Sequence, residues 1–257
     1  KTESYFQREF ARWEDITMAH LTNPEDARKM IVARAKTFAQ GFAEIVVPEA
    51  MKIYDFNIRR LSSAKSFSLS YKRKATSEEI ADRAEKLDAL RRRGKRVLAG
   101  KVLANAETKF VDYSVNNMKR VHGIIADELE KGKSLDDVAV AVRAKFGEFY
   151  EGQAKTIVRT EFGSAMAEAS YQFGNDLATI AEETQKTWVS MDDSHTREDH
   201  LALDGVELSG KSDDVADMYF EIDGNDYLRY PKDEKGTADQ VVNCRCDIVW
   251  DVIKWGQ

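Results

Sequence analysis

The amino-acid sequence predicts an α+β protein: a long helical amino-terminal region, residues 1–180, followed by a small α+β domain with a short antiparallel sheet, residues 181–257. Three observations carry that reading. Up to about residue 180, apolar side chains recur at helical spacing, and the chain of 257 residues holds only 3 prolines. After Ala181, "KTWVS", "MYFEI", "YLRYP" and "CRCDIVWDVI" are short runs rich in aromatic and β-branched residues, separated by Gly, Asp, Asn or Pro clusters, as strands are. The charge changes at the same boundary. Residues 181–257 carry 19 Asp and Glu against 8 Lys and Arg, a balance of −11, which within a total of −6 leaves +5 for the preceding part.

The elements follow in order. "TNPEDARKMIVARAKTFAQGFAEIVV" opens with Asn23 at an N-cap, Pro24 at the first helical position and acids in the first turn, and its apolar spacing runs on to Pro48, where the helix is expected to stop. A second helix is expected from about Glu49. "KSFSLSYKRKATSEE" is a polar connection, and Thr76 with Glu79 fits a capping box. From Glu78 to Glu130 there is no proline, and Leu87, Leu90, Val97, Leu98 and Val102 recur at three, four and seven, which predicts a long helix or a hairpin. Gly132 marks a break, Ser134 an N-cap, and Val138, Val142 and Phe146 one stripe of a short helix. "EGQAKTIVRTEFGSAMAEASYQFGNDLA" follows, and its small residues Ala154, Gly163, Ala165, Ala167, Ala169 and Ser170 predict a closely packed central helix. In the last strand Cys246, Ile248, Trp250 and Val252 face one way, Asp247 and Asp251 the other.

At 42% hydrophobic and 33% charged residues, the composition excludes a disordered or fibrous chain. No apolar run approaches the roughly 20 residues that span a bilayer, so no membrane partner is expected. Only two cysteines are present, and they are separated by one residue. A disulfide closing so small a ring is strained, which points to reduced thiols or a metal. The acidic end repels nucleic acid, so any attraction to it belongs to the amino-terminal part. There the run "RRRGKR" places Arg91, Arg92, Arg93, Lys95 and Arg96 close together, preceded by Lys72, Arg73 and Lys74. Such a face can neutralise phosphates of double-stranded DNA without reading sequence. It can equally be a solvated face paired with Glu78, Glu79, Asp82, Glu85 and Asp88, or a dock for an acidic partner.

The chemistry concentrates in two short stretches. "MDDSHTREDHLALDG", residues 191–205, crowds two histidines and a group of acids beside one arginine, and "VVNCRC" holds both cysteines. Ser194 or Thr196 can cap a short helix ended by Gly205. Asp193, Arg197, His200 and Asp204 can then converge with Asn243, Arg245 and the cysteines as a structural polar cluster. His200, Cys244 and Cys246, with His195 or Asp193, can bind zinc through imidazole and sulfur. The competing reading makes Cys246 a small buried hydrophobe and His200 and Arg197 partners of buried carboxylates and carbonyls. A nucleophilic Cys–His pair is a sharper reading that lacks any visible oxyanion element. No Gly-x-Gly-x-x-Gly or Walker loop is present.

The order "KTWVSMDDSHTREDHLALDG", "YLRYP", "VVNCRC" resembles the signature of the phage Mu protein F-like family, the minor head or head morphogenesis proteins of tailed phages. The family pattern is a Trp-bearing strand, Asp-x-x-Thr-Arg-x-x-His, Asp-Gly, a Tyr-Pro turn and a terminal Asn-Cys-Arg-Cys. The match runs from Lys186 to Cys246, and "AKTIVRTEFGSAMAEA" resembles the family's preceding Ala-x-x-Ile-x-Arg-Thr-Glu helix. Two departures stand out: His195 where Arg is more usual, and "YPKD" in place of Tyr-Pro-Gly-Asp.

The resemblance implies a non-enzymatic, low-copy structural protein of the virion, made in the host cytoplasm and located inside the head near the portal. It acts there in head assembly, DNA packaging or delivery. Its partners are then the portal protein, other head proteins or copies of itself, and packaged double-stranded DNA. The expectation from another class is a toxin-like effector enzyme such as an ADP-ribosyltransferase, because proteins of this family are sometimes fused to toxin domains.

Overall fold

A computed structural model describes residues 2–20, 23–62, 76–148, 154–224 and 226–256. The basic residues Lys72, Arg73 and Lys74 lie outside the described residues. Among the described residues six helices come first: α1 (Thr2–Ala19), α2 (Pro24–Val32), α3 (Ala35–Leu61), α4 (Ser77–Glu130), α5 (Leu135–Glu148) and α6 (Ala154–Leu177). The remainder alternates short strands with single helical turns: β1 (Ala181–Val189), α7 (Glu198–Ala202), β2 (Glu207–Lys211), α8 (Ser212–Val215), β3 (Phe220–Glu221), β4 (Tyr227–Leu228), α9 (Ala238–Val241) and β5 (Asp247–Trp255). The protein is α+β, a long helical region followed by a small antiparallel sheet.

Local chemistry sets the helix ends. Thr76 and Glu79 close a reciprocal capping box: the Glu79 amide donates to Thr76 Oγ1 at 3.2 Å and the Thr76 amide donates to Glu79 Oε2 at 2.7 Å. The 54-residue α4 ends where Gly132 adopts φ 73°, with the Lys133 amide bonded to the Glu128 carbonyl and the Gly132 amide to that of Leu129. Ser134 caps α5 through the Asp137 amide at 3.2 Å, and Val138, Val142 and Phe146 are its buried stripe.

One boundary differs from the expected stop at Pro48. The break falls earlier, between Val32 and Ala35, and Pro48 lies inside the 27-residue α3. Proline forfeits one main-chain hydrogen bond there. Burial of Phe42, Val46, Val47, Ala50, Met51 and Tyr54 along the same helix outweighs that loss.

By packing, the chain divides into two units, Lys1–Val46 with Gly100–Arg159, and Val47–Ala99 with Thr160–Gln257. The division does not follow the expected boundary at residue 180. Helices α3, α4 and α6 each contribute to both units, and the sheet shares its core with helical residues 47–99 and 160–177. In the first unit Trp13 packs edge-on against Phe10 and Phe110, and Phe38 lies 4.3 Å from Phe110.

In the second unit the sheet runs β2-β1-β5, all antiparallel. Thr184, Lys186 and Trp188 on β1 lie opposite Val252, Trp250 and Ile248 on β5, and all six are buried. Alternation in β5 thus turns its apolar set inward. Gly174 of α6 meets Trp250 so closely that a Cβ there would overlap the indole ring. Gly94, the glycine of "RRRGKR", gives the same close passage to the ring of Tyr54, whose hydroxyl donates to Asp176 at 2.5 Å and lies 2.9 Å from the Leu90 carbonyl oxygen.

Candidate functional site

The two chemistry-bearing stretches meet beneath β1. His200, on the single-turn helix α7, and Cys244 and Cys246, entering β5, are almost wholly buried, at 1%, 3% and 1% exposure. Residues i and i+2 of an extended segment share a face, so both sulfurs approach one ring nitrogen. His200 Nδ1 lies 3.4 Å from Cys244 Sγ and 3.6 Å from Cys246 Sγ. On the other side of the ring, Nε2 is 2.7 Å from Gln240 Oε1, and Gln240 Nε2 donates to Asp199 Oδ2 at 2.9 Å. The indole of Trp188 stands edge-on to the imidazole at 5.4 Å.

The electrostatics of this group are uneven. A hydrogen bond from Cys246 holds the Cys244 thiol far below its ordinary range against the opposing effect of burial, with His200 and the Lys232 charge assisting. Cys246 is pushed up by that same bond and by burial. Burial disfavours the charged form of His200, but hydrogen bonding and charge from Cys244, with Gln240 and Asp199 behind them, carry its pKa upward. These three side chains are the metal-capable group among the described residues, with ligand atoms within 4.8 Å of one another.

The remaining cluster residues fix loops around this centre. Asp193 pairs with Arg245 and accepts the His195 amide at 3.0 Å and the Thr196 hydroxyl at 3.2 Å. Arg197 donates to the Val242 carbonyl at 2.6 Å. Asn243 turns the chain at φ 58°, and its amide donates to Thr160 Oγ1 at 3.3 Å, tying "VVNCRC" to "IVRTEF". Asp204 stands apart, accepting the Ser190 amide at 2.7 Å. Helix α7 lacks the expected cap from Ser194 or Thr196. Arg197 occupies the N-cap position without a side-chain capping bond, and Thr196 is engaged with Asp193. His195 is exposed and stands outside the sulfur and imidazole group.

Sequence reasoning passed over a deeply buried charge. Lys186 is fully buried, and its Nζ donates to the carbonyls of Ala216 at 2.9 Å, Met218 at 2.6 Å and Arg229 at 2.9 Å, between the rings of Phe220 and Trp250. Burial pushes its pKa down to about 7, whereas three carbonyl dipoles and two ring faces favour the ammonium. Its alternation with Trp188 on β1 was the available signal, since both share the inward phase.

Arg229 was missed as well. It forms a two-pronged pair with buried Asp233 at 2.7 and 2.8 Å and lies over the stacked rings of Tyr171 and Tyr230. In the "YPKD" turn Lys232 adopts φ 63°, the conformation glycine favours, and its Nζ donates to the Cys246 carbonyl at 2.8 Å.

The five basic side chains of the run on α4 are exposed, whereas Gly94 between them is buried. Arg91 pairs with Asp55, Arg92 with Asp88, and Arg93 lies 3.5 Å from buried Asp176. Lys95 and Arg96 project without such a carboxylate among the described residues.

The fold is thus a helical region ending in a small antiparallel sheet, with buried charges and an inward His–Cys–Cys group among the described residues. The family model described as "Phage Mu protein F like protein" matches residues 119–249, just over half of the chain. The chain belongs to the phage Mu protein F-like family, a phage head morphogenesis family. It is also 30% identical over 152 residues to a protein named NAD(+)--arginine ADP-ribosyltransferase EFV from Enterococcus faecalis (strain ATCC 700802 / V583), a match covering 59% of this chain and 29% of that relative. The chain thus spans less than a third of the relative's length in the matched part. No solved structure matches the chain. No helix among the described residues is long and apolar enough to cross a membrane.

Proposed function

We propose that this chain is a minor head protein of a tailed phage, a low-copy virion component that associates with the portal inside the head and serves head assembly, DNA packaging or delivery without a catalytic step of its own. One observation supports the non-enzymatic part most. The side chains that a reaction would need are turned inward and engaged: Lys186 by three carbonyls, Arg229 by Asp233, and His200 by Gln240 and two sulfurs. These bonds suit a rigid scaffold. The helical region meets the portal, other head proteins or neighbouring copies, and the acidic residues 181–257 resist adhesion to the negative genome. Lys95 and Arg96 are the side chains of the α4 run most available to packaged DNA, with Arg91, Arg92 and Arg93 contributing at the expense of their carboxylate pairs.

The relative's name carries a second reading, an effector that transfers ADP-ribose from NAD to arginine. The same preparation tests both. A truncation at residue 180 would cut through the second packing unit, so the experiment uses the full chain, mixed with portal assemblies from the same phage and, separately, with NAD and an arginine analogue. The proposal expects a complex that survives sedimentation and no release of nicotinamide. Sustained nicotinamide release would replace it with the enzyme reading, and failure to bind portal would remove the portal from the account.

A further inference from the structure

We infer that His200, Cys244 and Cys246 form a zinc site, with the imidazole bound through Nδ1. The inference stands apart from the portal reading and rests on how the imidazole is held. The Asp199 carboxylate accepts from Gln240 Nε2, which fixes the orientation of the amide and leaves its Oε1 as an acceptor. Gln240 Oε1 in turn takes the proton of His200 Nε2 at 2.7 Å. With Nε2 donating to Gln240, Nδ1 is the nitrogen that faces the two sulfurs, and the neutral ring that a metal requires offers its lone pair there. Ligating histidines are set in this way, with the second nitrogen donating to an outer acceptor.

One lone pair has one direction, and it cannot accept well-aligned bonds from two thiols at once. Two sulfurs at 3.4 and 3.6 Å from it instead mark the edges of a coordination polyhedron. Tetrahedral zinc with Zn–S of about 2.3 Å and Zn–N of about 2.0–2.1 Å separates neighbouring N and S ligands by about 3.6 Å. The observed spacing already has that size, and the set of three fits within 4.8 Å.

The site is buried. His200, Cys244 and Cys246 are each at most 3% exposed, and the buried Trp188 indole stands edge-on to the imidazole at 5.4 Å. The Lys232 ammonium is held on the Cys246 carbonyl at 2.8 Å, which places a positive charge beside the Cys-x-Cys segment. Zinc binding converts both thiols to thiolates and passes their two protons to solvent. Two thiolates, one neutral imidazole and Zn²⁺ carry no net charge, as a buried site requires. Three side chains supply ligands among the described residues, and water takes the fourth position.

The test measures metal in the full chain purified under reducing conditions without chelator, then follows Co²⁺ binding to the metal-free protein. About one zinc per chain and sulfur-to-cobalt charge-transfer bands are expected. Gln240→Ala, which leaves every ligand in place, should keep the native circular dichroism and weaken metal binding by about 10- to 100-fold. Cys246→Ser should lose charge-transfer intensity. Should that variant fail to fold, the wild-type titration and Gln240→Ala decide the matter. A folded wild-type chain that takes up neither zinc nor cobalt and melts at the same temperature with or without zinc would overturn the inference, as would undiminished affinity in Gln240→Ala.

Discussion

Lys232 and Cys246 are joined across the base of the sheet: the lysine Nζ donates to the cysteine carbonyl at 2.8 Å, from a backbone held at φ 63°. The lysine therefore combines an unfavourable main-chain conformation with a favourable buried bond. Lys232→Ala and Lys232→Gly both lose the bond, but only the alanine keeps the strain. Denaturant titration should find the alanine variant less stable than the glycine variant by about 1–2 kcal/mol. Equal stabilities would mean that the turn relaxes at no cost.

Lys186 ties Ala216, Met218 and Arg229 to the centre of the sheet. Lys186→Met keeps the stem but leaves three carbonyls without their donor. The expected loss is on the order of 3 kcal/mol or more, since each buried unsatisfied group costs about 1–3 kcal/mol. A methionine variant as stable as wild type in thermal and denaturant melts would show that the site repacks as an apolar core.

Arg229 hydrogen bonds hold the Asp233 carboxyl below its ordinary range of 3.8, overcoming a burial effect of opposite sign. The folded form is the stronger acid, so the pair's contribution is fully present above the unfolded pKa. It is lost as the pH falls below about 4 through the lower folded value. Asp233→Asn should be destabilised at neutral pH by about 3–5 kcal/mol, and its disadvantage should shrink on acidification. A gap that stays constant from pH 7 down to pH 2 would contradict the assignment.

These predictions rest on residues with unequal visibility in the sequence. The capping box of Thr76 and Glu79 was legible because both partners lie within one turn of helix. The inward phase of β5 was legible from its two-residue alternation. Pro48 misled because its local cost is overruled by a buried face that local reading does not weigh. Strand β2, "ELSGK", carries little β propensity and is fixed by pairing with β1. Arg229 and Asp233 lie four residues apart in a turn, where no helical or strand period connects them. The packing units could not be read at all, because continuous helices pass from one to the other. His200 and the cysteines were identifiable by residue type, whereas Gln240, which sets the imidazole's orientation, has no motif of its own.

The carboxylate partners of Arg91, Arg92 and Arg93 make a graded prediction for DNA. Binding by the full chain should be weak, indifferent to sequence and steeply salt-dependent. Lys95→Gln with Arg96→Gln should reduce both the affinity and the salt slope, and changing all five basic residues to Gln should abolish binding. Unchanged affinity in the five-residue variant would assign the run to solvent or to an acidic protein partner.

The central claim, that this family member works as a minor head protein at the portal, is tested most directly by locating the chain in intact phage particles with cryo-electron microscopy, reconstructed without icosahedral averaging at the portal vertex. The account predicts density for this fold inside the head, against the portal, at low copy number. Its absence from the particle, or its distribution over the capsid faces away from the portal, would contradict the claim.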